Sequence, residues 1–159
     1  MRRPPSRRRA APAPSGPAVE LSIQAVGGEG DGVGAGSVFV PFTLPGERVL
    51  ARGGGERRAL VDVLQPSPER VAPPCPHFFA CGGCALQHWA HGPYLAWKVE
   101  RLAGTLARQR IETEILPAFA AQPATRRRVA LHARRGTAEA ARLGYKARRS
   151  WDLVDISVC

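Results

Sequence analysis

Aromatic residues are scarce in this 159-residue chain: Phe, Trp and Tyr make up 6% of it, and there is a single methionine. With 44% hydrophobic residues, a core has to be built from Val, Leu, Ile and Ala, and the length allows one or two small domains. No apolar run is long enough to cross a bilayer, so no membrane partner is expected. The N-terminal arginines have no apolar segment behind them, which argues against a secretory signal and for a cytoplasmic location. Thiols stay reduced there, which favours metal binding over disulfides. The glycine-rich stretch 27–32 contains no GxxxxGK[ST] and no helix is expected after it, so nucleotide binding there is excluded.

Acidic residues are also few, 13 against 23 Lys and Arg, for a net charge of +10. The excess lies in two blocks. Residues 1–17 hold five arginines and no acid, and residues 126–149 hold nine basic residues against Glu139 alone. Residues 18–75, by contrast, are mildly acidic, with seven acids against five bases. Two dense basic blocks are what a binder of phosphate backbones presents. Arg126, Arg127, Arg128, Arg148 and Arg149 are therefore the candidate RNA contacts. A solvated basic surface without a partner is the plainer reading.

Cysteine is rare too, with four in all, but three fall within Cys75-Pro-His-Phe-Phe-Ala-Cys81-Gly-Gly-Cys84 and the fourth is Cys159. Four thiols that come together form one ligand set, for an iron–sulfur cluster or for zinc. The two glycines between Cys81 and Cys84 let the chain fold tightly, so that backbone amides approach the sulfurs. Spacing alone leaves a [4Fe-4S] centre and a structural zinc open, with a disulfide pair as a remainder.

Along the chain, residues 1–17 are Pro- and Arg-rich without apolar period and read as a disordered basic tail. Residues 18–73 read as short strands between glycine turns. Val19, Leu21 and Ile23 alternate with polar residues, and 37–42, 44–50 and 59–64 supply further strands, together suggesting a small closed barrel of oligonucleotide-binding type. After the cysteine motif the period changes. Residues 94–110 predict a helix with Leu95, Val99, Leu102 and Leu106 as its core face and Lys98, Arg101, Thr105 and Arg108 on another. Residues 128–134 and 141–148 predict a hairpin turning near Gly136-Thr137, and 153–156 a last strand that returns Cys159 to the other cysteines. His88 is expected to pack, or to bond a ligand sulfur or a nearby carbonyl. His77, His91 and His132 have no partner pattern and read as structural or exposed. Phe78, Phe79 and Trp89 are expected to shield the cysteine site, or to stack on an unpaired base.

The motifs Leu44-Pro-Gly-Glu47, Cys75-x5-Cys81-Gly-Gly-Cys84-x2-Gln87-His88, Arg126-Arg-Arg-Val-Ala-Leu131, Leu143-Gly-Tyr145 and Val154-Asp-Ile-x2-Cys159 carry a resemblance. From about residue 19 onward, the chain resembles the front part of the bacterial RNA uracil-5-methyltransferases, in the 23S ribosomal-RNA branch with a TRAM domain and a [4Fe-4S] cluster. The resemblance implies an α+β protein. An OB-like antiparallel β-barrel (TRAM, 18–73) would precede a small α/β central domain (74–159), whose Cys75, Cys81, Cys84 and Cys159 hold the cluster. It also implies a ribosomal RNA partner, and S-adenosylmethionine bound by a catalytic domain expected to lie beyond Cys159. With all four cysteines claimed as ligands, the 159 residues are expected to be inactive alone, and a monomer is expected. The alternative is a non-enzymatic RNA-binding module stabilised by zinc.

Overall fold

The computed structural model describes residues 15–122, 125–135 and 141–159. The expected tail, up to residue 14, and the expected turn at Gly136-Thr137 lie outside the described residues.

Strand β1 (Ala18–Val26) is the longest and organises the first half. It is followed by β2 (Gly32–Gly34), a 3-10 turn (Ala35–Ser37), β3 (Val38–Val40), β4 (Arg48–Arg52) and β5 (Ala59–Gln65). The sheet order is β3-β2-β1-β4-β5, and every neighbouring pair is antiparallel. The first half of β1 pairs with β4, and its second half pairs with β2, with an irregularity between Ile23 and Ala25 where the strand changes partner. The alternation read from Val19, Leu21 and Ile23 puts Ile23 into a core with Val40, Val49 and Ala51.

This sheet is open and not the closed barrel expected. Its two edges meet only where Phe39 donates to the Glu56 carbonyl (2.6 Å) and accepts from the Arg58 amide (3.0 Å). β3 has only three residues and follows a turn with Gly36 and Ser37 at positive φ, so no ladder runs on from that bridge. The stretch 44–47 is likewise a turn and not the start of a strand. Gly46 takes φ 82°, and the Glu47 carboxylate folds back to accept the Leu44 amide at 2.8 Å.

Helix α1 (His91–Arg108) carries Pro93 in its first turn, where no amide is needed. It docks through Tyr94 and Trp97 onto Val26, Leu44, Leu86 and Trp89, and Trp97 Nε1 donates to the Val26 carbonyl at 3.3 Å. The expected core stripe Leu95, Val99, Leu102 and Leu106 is not core. No residue of α1 is buried, and Leu102 is half exposed. Periodicity found a stripe, but the large aromatic rings beside it make the contact. Lys98 and Arg101 lie over the Tyr94 and Trp97 rings.

The second sheet, β6 (His132–Arg134), β7 (Arg142–Lys146) and β8 (Leu153–Asp155), is antiparallel with β7 in the centre. Residues 128–131, expected as strand, are irregular and exposed or half-buried. Among the described residues no helix is long and apolar enough to cross a membrane.

Candidate metal centre

Residues 75–81 form tight turns in which the His77 carbonyl accepts the Ala80 (3.1 Å) and Cys81 (2.7 Å) amides. Cys81 then bridges to Ala147, and Gly82 donates to the Lys146 carbonyl at 2.9 Å, fixing the cysteine loop on the end of β7. A side chain at Gly82 would place its Cβ 2.6 Å from that carbonyl oxygen, so only glycine allows the approach. The Gly83 amide points at Cys81 Sγ, 3.3 Å away. This is the amide-to-sulfur approach that the Cys-Gly-Gly-Cys turn predicts.

Beyond β8, the Ile156 amide bonds the Leu143 carbonyl (3.2 Å) and the Ser157 amide donates to His77 Nε2 (3.3 Å). These bonds bring the chain end to the loop. Cys75, Cys81, Cys84 and Cys159 all line one cavity of about 100 Å³, and none forms a disulfide. Phe78, Val129, Ile156 and Val158 supply its apolar wall, and Arg126 its cation. Among the described residues, no three His, Cys, Asp or Glu side chains are grouped closely enough for one metal ion. The four cysteines share one cavity.

Gln87 also lines the cavity, and its buried Oε1 has no hydrogen-bond partner among the described residues. His88 does not line it. The ring is fully buried against Phe78 and Phe42; among the described residues neither nitrogen makes a well-formed hydrogen bond, the Thr43 backbone being only a weak partner, and burial, then the nearby Arg70 charge, pushes its pKa down to about 4. Of the three aromatics expected to shield the site, Phe78 is buried in the wall and Phe79 is largely exposed. Trp89 instead packs with α1 and donates to Glu69 at 2.7 Å. Tyr145, quoted above in a resemblance motif but given no role there, also lines the cavity. Burial, then the neighbouring Cys159, pushes the phenol's pKa up.

The five candidate arginines separate into two sets. Arg126, Arg127 and Arg128 are exposed, with Arg126 at the cavity. Arg148 and Arg149 turn inward to the buried Asp31, joined there by Arg57, with Arg148 Nη2 and Arg57 Nη1 each 2.8 Å from its carboxylate. Arg149 also pairs with Glu29 at 2.7 Å, and that hydrogen bond and charge hold the Glu29 carboxyl below the usual range.

No family model matches the chain. Over 145 residues (88% of the chain and 35% of the relative) it is 57% identical to an uncharacterized RNA methyltransferase of Caulobacter vibrioides. It is 43% identical over 143 residues to one of Brucella suis, covering 88% of the chain and 34% of that protein. It is 38% identical over 151 residues to the 23S rRNA (uracil(1939)-C(5))-methyltransferase RlmD of Halomonas elongata, covering 88% of the chain and 31% of that protein. The chain is therefore similar, along most of its own length, to about a third of proteins named RNA methyltransferases.

Proposed function

We propose that the chain is the RNA-recognition and iron–sulfur part of an S-adenosylmethionine-dependent 23S ribosomal-RNA uracil-C5 methyltransferase, with an N-terminal module of TRAM type. The observation that carries the reading is the cavity lined by all four cysteines. A single tetrahedral zinc, with bonds of ~2.3 Å to sulfur, needs its thiolates about 3.8 Å apart. A polynuclear cluster holds its thiolates at the corners of a larger body. The four cysteines around one cavity supply the all-thiolate donor set such a cluster takes, and the resemblance in the cysteine spacing favours it over zinc. The Gly83 amide toward Cys81 Sγ is a donor of the kind that orients ligands and tunes such centres.

Methylating uracil C5 requires a nucleophile that adds to C6 and a base that takes the C5 proton, with the uracil out of its stack. Bound S-adenosylmethionine supplies the methyl group. The four thiols here all belong to the cavity, so the reading assigns the nucleophile to another part of the enzyme and leaves this part to grip RNA. The exposed Arg126, Arg127 and Arg128 contact phosphates in this reading, beside the cysteine site.

The test is anaerobic purification followed by iron, sulfide and zinc analysis. The reading expects brown protein with broad absorbance near ~400 nm and acid-labile sulfide. Colourless protein with stoichiometric zinc would replace it with a zinc-stabilised RNA-binding module.

A further inference from the structure

The chain holds three tryptophans. Trp89 and Trp97 seat α1 on the first sheet, and each donates its indole N–H, to Glu69 (2.7 Å) and to the Val26 carbonyl (3.3 Å). Trp151 belongs to neither hydrophobic core and is 49% exposed. Exposure alone decides little, but the setting of this ring does. Residues 147–152 turn β7 into β8, with the Ala147 amide on the Asp152 carbonyl (2.8 Å) and the Ser150 amide on the Ala147 carbonyl (3.0 Å). Arg134 Nη2 donates to the Trp151 carbonyl at 3.2 Å. Lys146 Nζ lies over the indole, 3.6 Å from its centroid, and restricts how the ring can turn. Opposite Arg134 in the register stands Arg142, and opposite Lys146 stands Leu153, so Arg134, Arg142 and Lys146 share one face of the sheet. Ala133, Leu143 and Tyr145 take the other, and from there Tyr145 lines the cysteine cavity. Arg134 and Arg142 are exposed. Asp155 is the acid on their face, and its carboxylate accepts the Leu143 amide at 3.2 Å. Asp152, next to the ring in sequence, accepts the Ser150 hydroxyl at 2.7 Å.

Resting on the RNA-recognition reading above, we propose that Trp151 is a stacking platform for an unpaired base of single-stranded RNA, with Arg134 and Arg142 taking neighbouring phosphates. Every base has a π-face, so one indole holds a strand without choosing its sequence. Cations alone grip any polyanion, and the ring adds a requirement for bases. An acidic peptide would satisfy the arginines and leave the flat face of the indole without a counterpart. This contact is separate from Arg126, Arg127 and Arg128, which reach only phosphates beside the cysteine site. Arg148 and Arg149 take no part in it, because both are turned to Asp31.

The test compares the parent chain with Trp151→Leu, which keeps apolar bulk without a π-face, and with Trp151→Phe, which keeps a smaller one. All are purified anaerobically and titrated with a single-stranded uridine oligonucleotide and with an abasic ribose-phosphate strand of equal length. Fluorescence anisotropy across salt gives affinity and slope, and quenching of tryptophan emission reports the stack directly. The expected result is a roughly 5- to 100-fold loss of affinity for the uridine strand in Trp151→Leu, the range that one stacked base supplies. Its salt slope should match the parent's, since no phosphate contact is removed, and its affinity for the abasic strand should be unchanged. Trp151→Phe should recover part of the loss, and RNA-induced quenching in the parent should fall away in both variants. Equal affinity of parent and Trp151→Leu for the uridine strand, or equal losses on both strands, overturns this inference and leaves the RNA reading intact. If Trp151→Leu melts early, the parent's quenching decides: a uridine strand that binds without quenching the parent more than the abasic strand does overturns the stack. A parent chain that binds neither strand overturns the RNA-recognition reading and this inference with it.

Discussion

His77 Nε2 accepts the Ser157 amide at 3.3 Å and lies 3.2 Å from the Ser157 hydroxyl. Each partner stands two residues from a cysteine of the cavity, Cys75 on one side and Cys159 on the other. Because the amide donates, Nε2 carries the lone pair and the ring proton of the neutral form sits on Nδ1. A histidine with no partner pattern in the sequence thus ties the two ends of the ligand set together.

Removing that tie should weaken the fourth ligand first. His77→Ala is expected to lower the iron bound per chain and speed its release, while the N-terminal sheet, which His77 does not touch through any of these bonds, stays folded. His77→Gln should restore much of the loss, because its amide oxygen can accept the same N–H. Iron analysis with far-UV circular dichroism checks both variants. Equal iron in parent and His77→Ala protein would reduce the His77–Ser157 contact to an incidental one.

Glu47 makes a sharper prediction about stability. Its side chain is fully buried and accepts from Arg70 Nε (2.5 Å), Arg70 Nη2 (2.8 Å), the Leu44 amide (2.8 Å) and the Ser67 amide (3.2 Å). Burial works to raise its pKa, and the Arg70 bond with the two amides outweighs it, so the carboxyl is held below its ordinary range. Glu47→Gln leaves Arg70 without its counter-charge. The expected cost is about 3 kcal/mol, taken low because Arg70 is partly exposed, or roughly 6–12 °C in Tm for a chain of this size. Thermal unfolding measures it. Iron content should be unchanged, since Glu47 does not line the cysteine cavity.

What the sequence disclosed was local. The period-two run Val19-Leu21-Ile23 gives β1, residues 59–64 give β5, and the period change after the cysteines gives α1. The return of Cys159 toward the other cysteines was legible because 153–156 reads as a short strand that pairs back onto the hairpin before it. Closure of the sheet was not, since it depends on whether three-residue β3 can run along β5. Nor could period alone show that Tyr94 and Trp97, and not the leucine stripe, seat the helix. The pairing of Arg148 with Asp31 spans 117 positions, and nothing near either residue announces it.

That pairing splits the basic block into two experiments. Changing Arg126, Arg127 and Arg128 together to Ala should weaken binding of single-stranded RNA and flatten its log–log salt slope by about 2, at ~0.7 per phosphate contact. Changing Arg148 and Arg149 together to Ala should leave the slope near the parent value and lower stability by about 2 kcal/mol, because buried Asp31 then keeps only Arg57. Fluorescence anisotropy across salt, with melting curves on the same samples, separates the two. A large slope change in the second variant with no change in melting would move the RNA contact to the Asp31 cluster.

His88 gives the pH dependence. Its ring is fully buried beside Phe42 and Phe78 and, among the described residues, has no well-formed hydrogen bond to hold a second ring proton, so the folded protein resists protonating it. Burial, and after it the Arg70 charge, lower its pKa from 6.5 to about 4. The unfolded chain takes up the proton first. The contribution to stability is therefore complete above pH 6.5, declines as pH falls through the interval down to about 4, and changes no further below that. At about pH 5 the loss should be roughly 2 kcal/mol. Glu47 acts in a lower window: its contribution is complete above the ordinary carboxylate range and is lost as pH falls from there through the lowered value. His88→Phe fills the same apolar space without a titrating group, so its Tm should fall less than the parent's between about pH 7 and pH 5. Comparing the two Tm differences cancels any acid effect on the cysteine centre that both proteins share. Parallel Tm curves for parent and variant across that interval would mean that His88 is protonated at little cost in the folded protein, and that the apolar enclosure by Phe42 and Phe78 opens to admit water.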